Sequence, residues 1–191
     1  MKKRLKKATS VDRRIQKTKK LLTDALVELI VEKGYQAVTV KDIIERANVG
    51  RSTFYAHFED KDQLLLSGHD AFKRILSADF LSPVHQAGKT GIDFLYLYRH
   101  VYERRDLATA MGTQGEKILH DHLRELIAHG IEESFRGRRG TTKDRTMYSL
   151  TVDAAAAAMV TFLFRWIQEG MPASPEIMAK DAENLLLKMM G

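Results

Sequence analysis

The sequence predicts an all-α protein. Only three prolines and 12 glycines occur among its 191 residues, so long stretches contain no helix breaker. Apolar residues recur at helical spacing, and no alternating runs of Val, Ile and Thr bounded by turn pairs indicate strands. A hydrophobic fraction of 44% is enough for one or two compact domains with a real core, which excludes a disordered tail protein.

Four helices are predicted in the first 80 residues. The first runs from about Arg13 to Lys33 and stops at Gly34. The second covers Val40 to Ala47, where Thr39 followed by Asp42 forms a capping pattern at the positive end of the helix.

A three-residue turn containing Gly50 separates the second helix from the third. The third helix is predicted over Arg51 to Phe58, in two turns. Asp60 followed by Gln63 is a second capping pattern, and it opens a helix that continues to about Phe80.

Five more helices are predicted in the remainder. The last begins with Ser174 as a cap and Pro175 at the first helical position. The five approximate ranges are Thr90–Arg104, Asp106–Met111, Glu116–Phe135, Lys143–Glu169 and Ser174–Met190.

The composition limits the class of protein. Without any cysteine, the chain has no disulfide, thiolate zinc site or cysteine nucleophile, which is typical of the reducing cytoplasm. The N-terminus lacks the apolar stretch of a signal peptide, and Ala154 to Phe164 is too short to span a bilayer. We therefore expect a soluble, cytoplasmic protein without a membrane partner.

The net charge of +6 lies entirely in the first third of the chain. Residues 1–60 contain 14 basic and 8 acidic side chains, and the first 20 residues contain ten basic ones against Asp12 alone. Residues 1–12 are predicted to form a mobile basic arm. Such a run is most often a solvated segment, and the alternative is attraction to DNA or an anionic membrane.

The segment from Thr39 to Lys61 matches a helix-turn-helix. Two short helices joined by a tight turn place the second, the recognition helix Arg51–His57, in the major groove of double-stranded DNA. Phe54 and Phe58 are four residues apart and are expected to pack inward.

The outward side chains of this segment supply donors for DNA. The Arg51 guanidinium fits guanine O6 and N7, and Ser52 and Tyr55 share its face. Hydroxyl, imidazole and ammonium groups nearby suit phosphate oxygens. The predicted DNA-binding residues are Thr39, Arg51, Ser52, Thr53, Tyr55, His57 and Lys61.

The run from about Lys17 to Leu66 resembles the DNA-binding domain of the tetracycline-repressor-like (TetR/AcrR) family of transcriptional regulators. The R-S-T-F-Y form that begins at Arg51 is similar to a subgroup that includes regulators of dihydroxyacetone kinase genes. Gly50 departs from the serine of many members, which caps the recognition helix and contacts phosphate. The matching elements are Gly34-Tyr35, Thr39-Val40, Asp42-Ile43, Ala47-Asn48-Val49, Thr53-Phe54-Tyr55, His57-Phe58, Lys61 and Leu64.

The resemblance implies about nine helices, a homodimer formed through the last two, and a C-terminal pocket for a small-molecule effector. The implied domains are a DNA-binding domain over residues 13–66 and a ligand-binding and dimerisation domain over 67–191. The candidate pocket residues, which equally suit an ordinary core, are Phe94, Tyr98, Tyr102, Met111, His122, Tyr148 and Phe162. The candidate dimer contacts are Ala154, Ala158, Phe162, Trp166, Leu185, Leu186 and Met189.

No enzyme motif appears in the sequence, and we predict no catalytic residue, cofactor or metal site. His120 and His122 lie on different helix faces and have no carboxylate at ligand spacing.

The predicted function is a sequence-specific, ligand-responsive repressor that binds a palindromic operator as a homodimer. The alternatives are a co-activator of the same fold that acts through a partner protein, and a nonspecific DNA or membrane-surface binder.

Overall fold

A computed structural model describes residues 2–68, 90, 92–135 and 142–191, with side chains described over 13–68, 90, 92–135 and 145–191. Across these ranges the chain is helical and contains no strand, which confirms the all-α prediction. A single 3₁₀ turn covers Tyr35–Ala37. The helices are α1 (Lys2–Lys33), α2 (Val40–Ala47), α3 (Arg51–Tyr55), α4 (61–68, where the described part of the helix stops), α5 (Phe94–Glu103), α6 (Arg105–Ala110), α7 (Gly112–Ser134), α8 (Thr142–Gln168) and α9 (Pro175–Met190).

The α1 helix is longer than predicted. The predicted start at Arg13 is wrong, because the helix begins at Lys2 and takes in most of the segment expected to be a mobile arm. No Gly or Pro interrupts the chain between Lys2 and Lys33, and Lys, Arg, Leu, Ala and Gln are all strong helix formers. Helix propensity therefore outweighs the mutual repulsion of the basic side chains.

The α3 helix is shorter than predicted, ending at Tyr55 instead of Phe58. The amide N–H groups of His57 and Phe58 both donate to the carbonyl oxygen of Phe54, each at 2.9 Å. This tightened turn rotates the Phe58 ring into the core, 5.9 Å from the Phe54 ring. Burial of Phe58 thus ends the regular helix.

Two other helix starts each differ from the prediction by four residues. The α5 helix begins at Phe94, not Thr90, because the Asp93 carboxylate caps it by accepting from the amide of Tyr96 at 2.8 Å. The α7 helix begins at Gly112 instead of Glu116. The predicted start of α9 is confirmed, since the Ser174 hydroxyl caps the helix and Pro175 occupies its first turn.

Two hydrophobic cores hold the helices together. The N-terminal core packs α1 against the 3₁₀ turn, α2, α3 and α4, and it also includes Met111 from the junction of α6 and α7. Its fully buried side chains are Leu22, Leu26, Ile30, Tyr35, Ile43, Phe54 and Leu64. Burial of each such side chain stabilises the fold by roughly 1.5–3 kcal/mol.

The C-terminal core packs α5, α7, α8 and α9 together. The part of α8 from Arg145 to Gln168 is long and apolar enough, at a mean hydropathy of 1.5, to cross a membrane by length and composition alone. In this structure its Ala155, Met159 and Leu163 side chains are buried in the core. The predicted end of the fourth helix near Phe80 and the predicted loop 136–140 lie outside the described residues.

Candidate nucleic-acid interface

The α2 helix is fixed to α1 by charged groups. The Arg46 guanidinium donates to both carboxylate oxygens of Glu32 at 2.7 Å and to Glu28 at 3.2 Å. Glu32 raises the pKa of Arg46, and Arg46 in turn lowers the pKa of Glu32. Bidentate pairing fixes the orientation of a helix as well as its position. The first helix of the motif therefore has a defined angle to α1.

The predicted capping box at the start of α2 is confirmed. The Thr39 hydroxyl accepts from the amide of Asp42 at 3.2 Å and donates to its carboxylate at 2.7 Å, while the Thr39 amide donates to the same carboxylate at 2.8 Å. The Lys33 ammonium lies 2.8 Å from that carboxylate. Lys33, followed by Thr39, holds the pKa of Asp42 well below its usual range.

The turn between α2 and α3 matches the predicted helix-turn-helix. Asn48 ends α2 in the left-handed region with φ of 50°, and its amide bonds the carbonyl oxygens of Ile44 and Glu45. Asparagine tolerates this conformation better than most residues. Gly50 is the N-cap of α3 and makes no side-chain capping bond.

One face of α3 is anchored in the N-terminal core. Phe54 is fully buried and Phe58 nearly so, and both pack with Ile43, as predicted. Ile44 and Val49 are partly buried against the same cluster. This packing determines which side chains of α3 point outward.

The opposite face of α3 presents Arg51, Ser52 and Tyr55 to solvent. The Arg51 guanidinium lies 5.6 Å from the centre of the Tyr55 ring, so the two side chains form one continuous polar surface. Tyr55 is 48% exposed, although aromatic rings of this size are usually buried. The prediction that these three residues share one face of the helix is confirmed.

The other predicted contact residues surround this face. Thr39 is exposed, and Thr53, His57 and Lys61 are half-buried. The Lys61 ammonium donates to the main-chain oxygens of Tyr35 and Val38, both at 2.9 Å. Lys61 thus has partners within the chain that the sequence did not reveal, and its contact with phosphate stays a prediction.

Two family models match this chain. Residues 22–67 match the model described as bacterial regulatory proteins, tetR family. Residues 94–188 match the model described as transcriptional regulator C-terminal region, which belongs to the same family. The chain belongs to the tetR family.

Relatives and solved structures agree with this assignment. The uncharacterized HTH-type transcriptional regulator YvkB of Bacillus subtilis (strain 168) is 44% identical over 57 residues, which are 28% of this chain and 30% of YvkB. The match covers less than a third of the length of each curated relative.

Two solved structures share the fold of the tetR-family chain over nearly its whole length. A TetR transcriptional regulator from Streptococcus agalactiae 2603V has a TM-score of 0.64 at 22% identity, covering 94% of this chain and 98% of that one. The dihydroxyacetone kinase operon activator DhaS has a TM-score of 0.60 at 19% identity, covering 91% and 96%.

The tetR-family chain contains an apolar cavity of about 120 Å³ between α4, α5, α6, α7 and α8. Of the seven predicted pocket residues, Met111 alone is among those that line it. The other wall residues in the described chain are Leu65, Leu97, His100, Val101, Arg104, Leu107, Ala108, Leu119, Leu123, Leu163, Phe164 and Ile167.

The remaining six predicted pocket residues lie outside the walls of this cavity. Phe94 and Tyr98 are buried in the C-terminal core, where burial raises the pKa of Tyr98. Tyr102 is exposed and stacks on Trp166. His122, Tyr148 and Phe162 are partly buried elsewhere. Phe94 and Tyr98 are thus part of the ordinary core, the alternative that the sequence had left open.

Two of the predicted dimer residues are unsuited to an interface. Trp166 is 2% exposed, packs on Tyr98, and donates from its ring nitrogen to the carbonyl oxygen of Ala173 at 3.0 Å. Leu186 is fully buried. In the isolated chain, neither side chain presents appreciable surface for contact with a second subunit.

The other predicted dimer residues lie at the surface or near it. Ala154 and Leu185 are exposed, whereas Ala158, Phe162 and Met189 are half-buried. Three exposed apolar side chains on the same two helices, α8 and α9, were not predicted, and they are Met147, Leu150 and Ile177. Helical spacing of Met147, Leu150 and Ala154 along α8 was the signal that could have identified them.

Within the described ranges, no three His, Asp or Glu side chains lie together as a metal site requires.

Proposed function

We propose that this tetR-family protein is a sequence-specific DNA-binding transcriptional regulator that acts in the cytoplasm as a ligand-responsive repressor. The observation that carries the proposal is the exposed face formed by Arg51, Ser52 and Tyr55 on a helix whose opposite face is buried. A rigid, polar, partly aromatic helix face suits base edges in the major groove. The basic residues at the start of α1 add attraction for phosphates in any sequence.

A homodimer is the assembly that we propose. Recognition helices of a symmetric pair must lie one DNA turn apart, about 34–36 Å, to enter successive major grooves of a palindromic operator. The exposed apolar side chains of α8 and α9, among them Met147, Leu150 and Ile177, supply the surface for pairing.

Ligand response is the third part of the proposal. Leu65 on α4 and Met111 line the cavity, and both also contact the N-terminal core. A molecule in the cavity therefore changes the position of groups that support the recognition helix. Coupling of this kind is typically about 1–3 kcal/mol, which is a roughly 5- to 150-fold change in operator affinity.

The experiment begins with selection of bound sequences from random double-stranded DNA by the purified full chain. Arg51→Ala is then compared with the wild type on the selected sequence and on unselected DNA. We expect a loss of about 1–3 kcal/mol on the selected sequence and little change on unselected DNA. Lys41→Ala, at an exposed position on α2, is the matched control. An equal loss on both DNAs would favour nonspecific binding.

A second candidate is a co-activator that keeps the fold and acts through a partner protein. The recognition helix is only five residues long and begins at Gly50 without a side-chain cap, so it offers fewer contacts to phosphate than a serine-capped helix. DhaS is named as an operon activator, and the R-S-T-F-Y segment is the basis for placing this chain near regulators of dihydroxyacetone kinase genes. Failure to enrich any sequence in the selection would favour this candidate.

A further inference from the structure

The size of the cavity limits its occupant. At about 120 Å³ it is slightly smaller than the ~150 Å³ apolar protein cavity that holds a benzene molecule. Drug-sized ligands occupy pockets of roughly 300–1,000 Å³. An occupant of this cavity is therefore about as large as a single six-membered ring. Leu97, Leu123 and Leu163 are among the apolar side chains that would contact it.

Two polar side chains interrupt the apolar wall. His100 and Arg104 are one turn apart at the end of α5, and the Arg104 guanidinium donates to Nδ1 of His100 at 3.0 Å. A guanidinium has no acceptor, so the Nδ1 atom must be the acceptor and the ring must be neutral. Burial, followed by the charge of Arg104, lowers the pKa of His100 to about 4. A neutral imidazole carries no negative charge, so this hydrogen bond does not neutralise the charge of Arg104.

Three other arginines of the described chain are paired with carboxylates, whereas Arg104 is not. Arg46, Arg99 and Arg165 each contact a glutamate at 2.7–3.1 Å. No carboxylate of the described residues forms an ion pair with Arg104, which lines the apolar cavity. Among the described residues, the cavity thus combines an apolar wall with the positive charge of Arg104, which has no described carboxylate partner.

We propose that the cavity selects a small apolar monocarboxylate, with the hydrocarbon part inside and the carboxylate on Arg104. This inference rests on the proposed function, since it names the chemical class of the effector. A charge-assisted hydrogen bond between guanidinium and carboxylate favours the anion over a neutral molecule of the same shape. An amine of that size is repelled by the same guanidinium.

Benzoate and benzamide are the probes, because they have nearly the same shape and differ in charge. Their binding to the full-length protein is measured without DNA, by calorimetry and by the shift in unfolding temperature. We expect benzoate to bind about tenfold more tightly than benzamide, which is the effect of one partly exposed charge-assisted hydrogen bond. Arg104→Gln should abolish that difference.

Two further variants separate the effect of the Arg104 charge from the effect of the cavity volume. Arg105→Gln, next in the chain, removes a guanidinium that lies over the Tyr102 ring and outside the cavity wall, so the preference for benzoate should remain. Ala108→Leu reduces the cavity and should weaken both probes.

Three results would overturn the inference: equal binding of benzoate and benzamide, binding of neither, or an unchanged preference in Arg104→Gln. Because the assay contains no DNA, these results do not bear on operator binding. Conversely, a failed DNA selection together with a clear preference for benzoate would contradict the DNA-binding proposal and leave the ligand class standing.

Discussion

The ammonium of Lys61 lies 4.4 Å from the centre of the Tyr35 ring and donates to the main-chain oxygen of the same residue at 2.9 Å. It also bonds the main-chain oxygen of Val38, while the Tyr35 hydroxyl donates to Asp62. Burial, together with the Asp62 carboxylate, raises the pKa of Tyr35. This cluster joins the start of α4 to the 3₁₀ turn that precedes the helix-turn-helix. One residue predicted to touch DNA is therefore also part of the framework.

Lys61→Met should lower the free energy of unfolding by about 1–3 kcal/mol, because two carbonyl groups lose a charged donor. Urea denaturation of the purified chain measures the change. Lys41→Met, which removes an exposed ammonium with a long ion pair of 3.8 Å, should change stability by less than about 0.5 kcal/mol.

The same variant tests the predicted phosphate contact. If Lys61 also binds phosphate, the slope of log affinity against log salt should fall by about 0.9 in Lys61→Met. Unchanged stability together with a reduced slope would mean that Lys61 is a DNA ligand without a structural role.

Thr39→Ala should destabilise the protein by about 1 kcal/mol, since it removes the hydroxyl that caps α2. Thermal unfolding of the variant beside wild type gives the comparison. Thr39→Ser is the matched control because it keeps the hydroxyl and should retain most of the stability. If serine and alanine proved equally destabilising, the methyl group and not the cap would be the stabilising element.

Stability should increase with pH between about 4 and 6.5. The folded pKa of His100 is lowered to about 4, so the unfolded chain takes up a proton in this range that the folded chain does not. The contribution of His100 is complete above the unfolded pKa and is lost as the pH falls through the folded one. Urea midpoints across this range should show a shallower slope in His100→Gln, and a slope identical to wild type would contradict the assignment. His129→Gln, which removes an exposed imidazole on α7, is the control variant.

Leu150→Glu should convert the proposed dimer to a monomer. Leu150 is 57% exposed in the isolated chain, so a charge there does not disturb the core, but it would be buried without a partner in an α8 interface. Sedimentation velocity measures the assembly, and far-ultraviolet circular dichroism checks the helix content. Lys117→Glu, at an exposed position on α7, should leave the dimer intact. A dimeric Leu150→Glu protein would move the interface away from this face.

Removal of residues 2–12 should weaken binding to every DNA sequence. The segment contains five basic side chains, and each phosphate contact that is lost should lower the salt slope by about 0.9. A full-length variant with these five residues changed to glutamine separates charge from helix length. Should the salt dependence stay the same in both variants, the start of α1 takes no part in DNA binding.

Features determined by neighbours in the sequence were predictable. The bounds of α2, the cap formed by Thr39 with Asp42, and the start of α9 at Ser174 follow from side chains within three residues of the helix ends. The inward position of Phe54 likewise follows from spacing within one short segment. Local rules are sufficient where the partner atoms lie within one helical turn.

Features determined by distant packing were not predictable in this way. Trp166 and Leu186 are apolar and suit an interface by composition, but both are buried in the C-terminal core of the same chain. The cavity depends on gaps between five helices, and its polar pair at His100 and Arg104 carries no motif. Which apolar face meets which helix is a property of the whole fold.

Met111 closes the cavity and is also 5% exposed within the N-terminal core. Its position is tightly confined, since a β-carbon at Gly115 would lie 2.4 Å from the Met111 methyl carbon. Leu97 and Leu163 also line the cavity, but they belong to the C-terminal core and not to the N-terminal one. Natural variation in effector preference is therefore expected first at these two residues. Under the proposed function, a change at Met111 would alter DNA affinity in the absence of effector and the binding of effector at the same time, so selection cannot adjust one without the other.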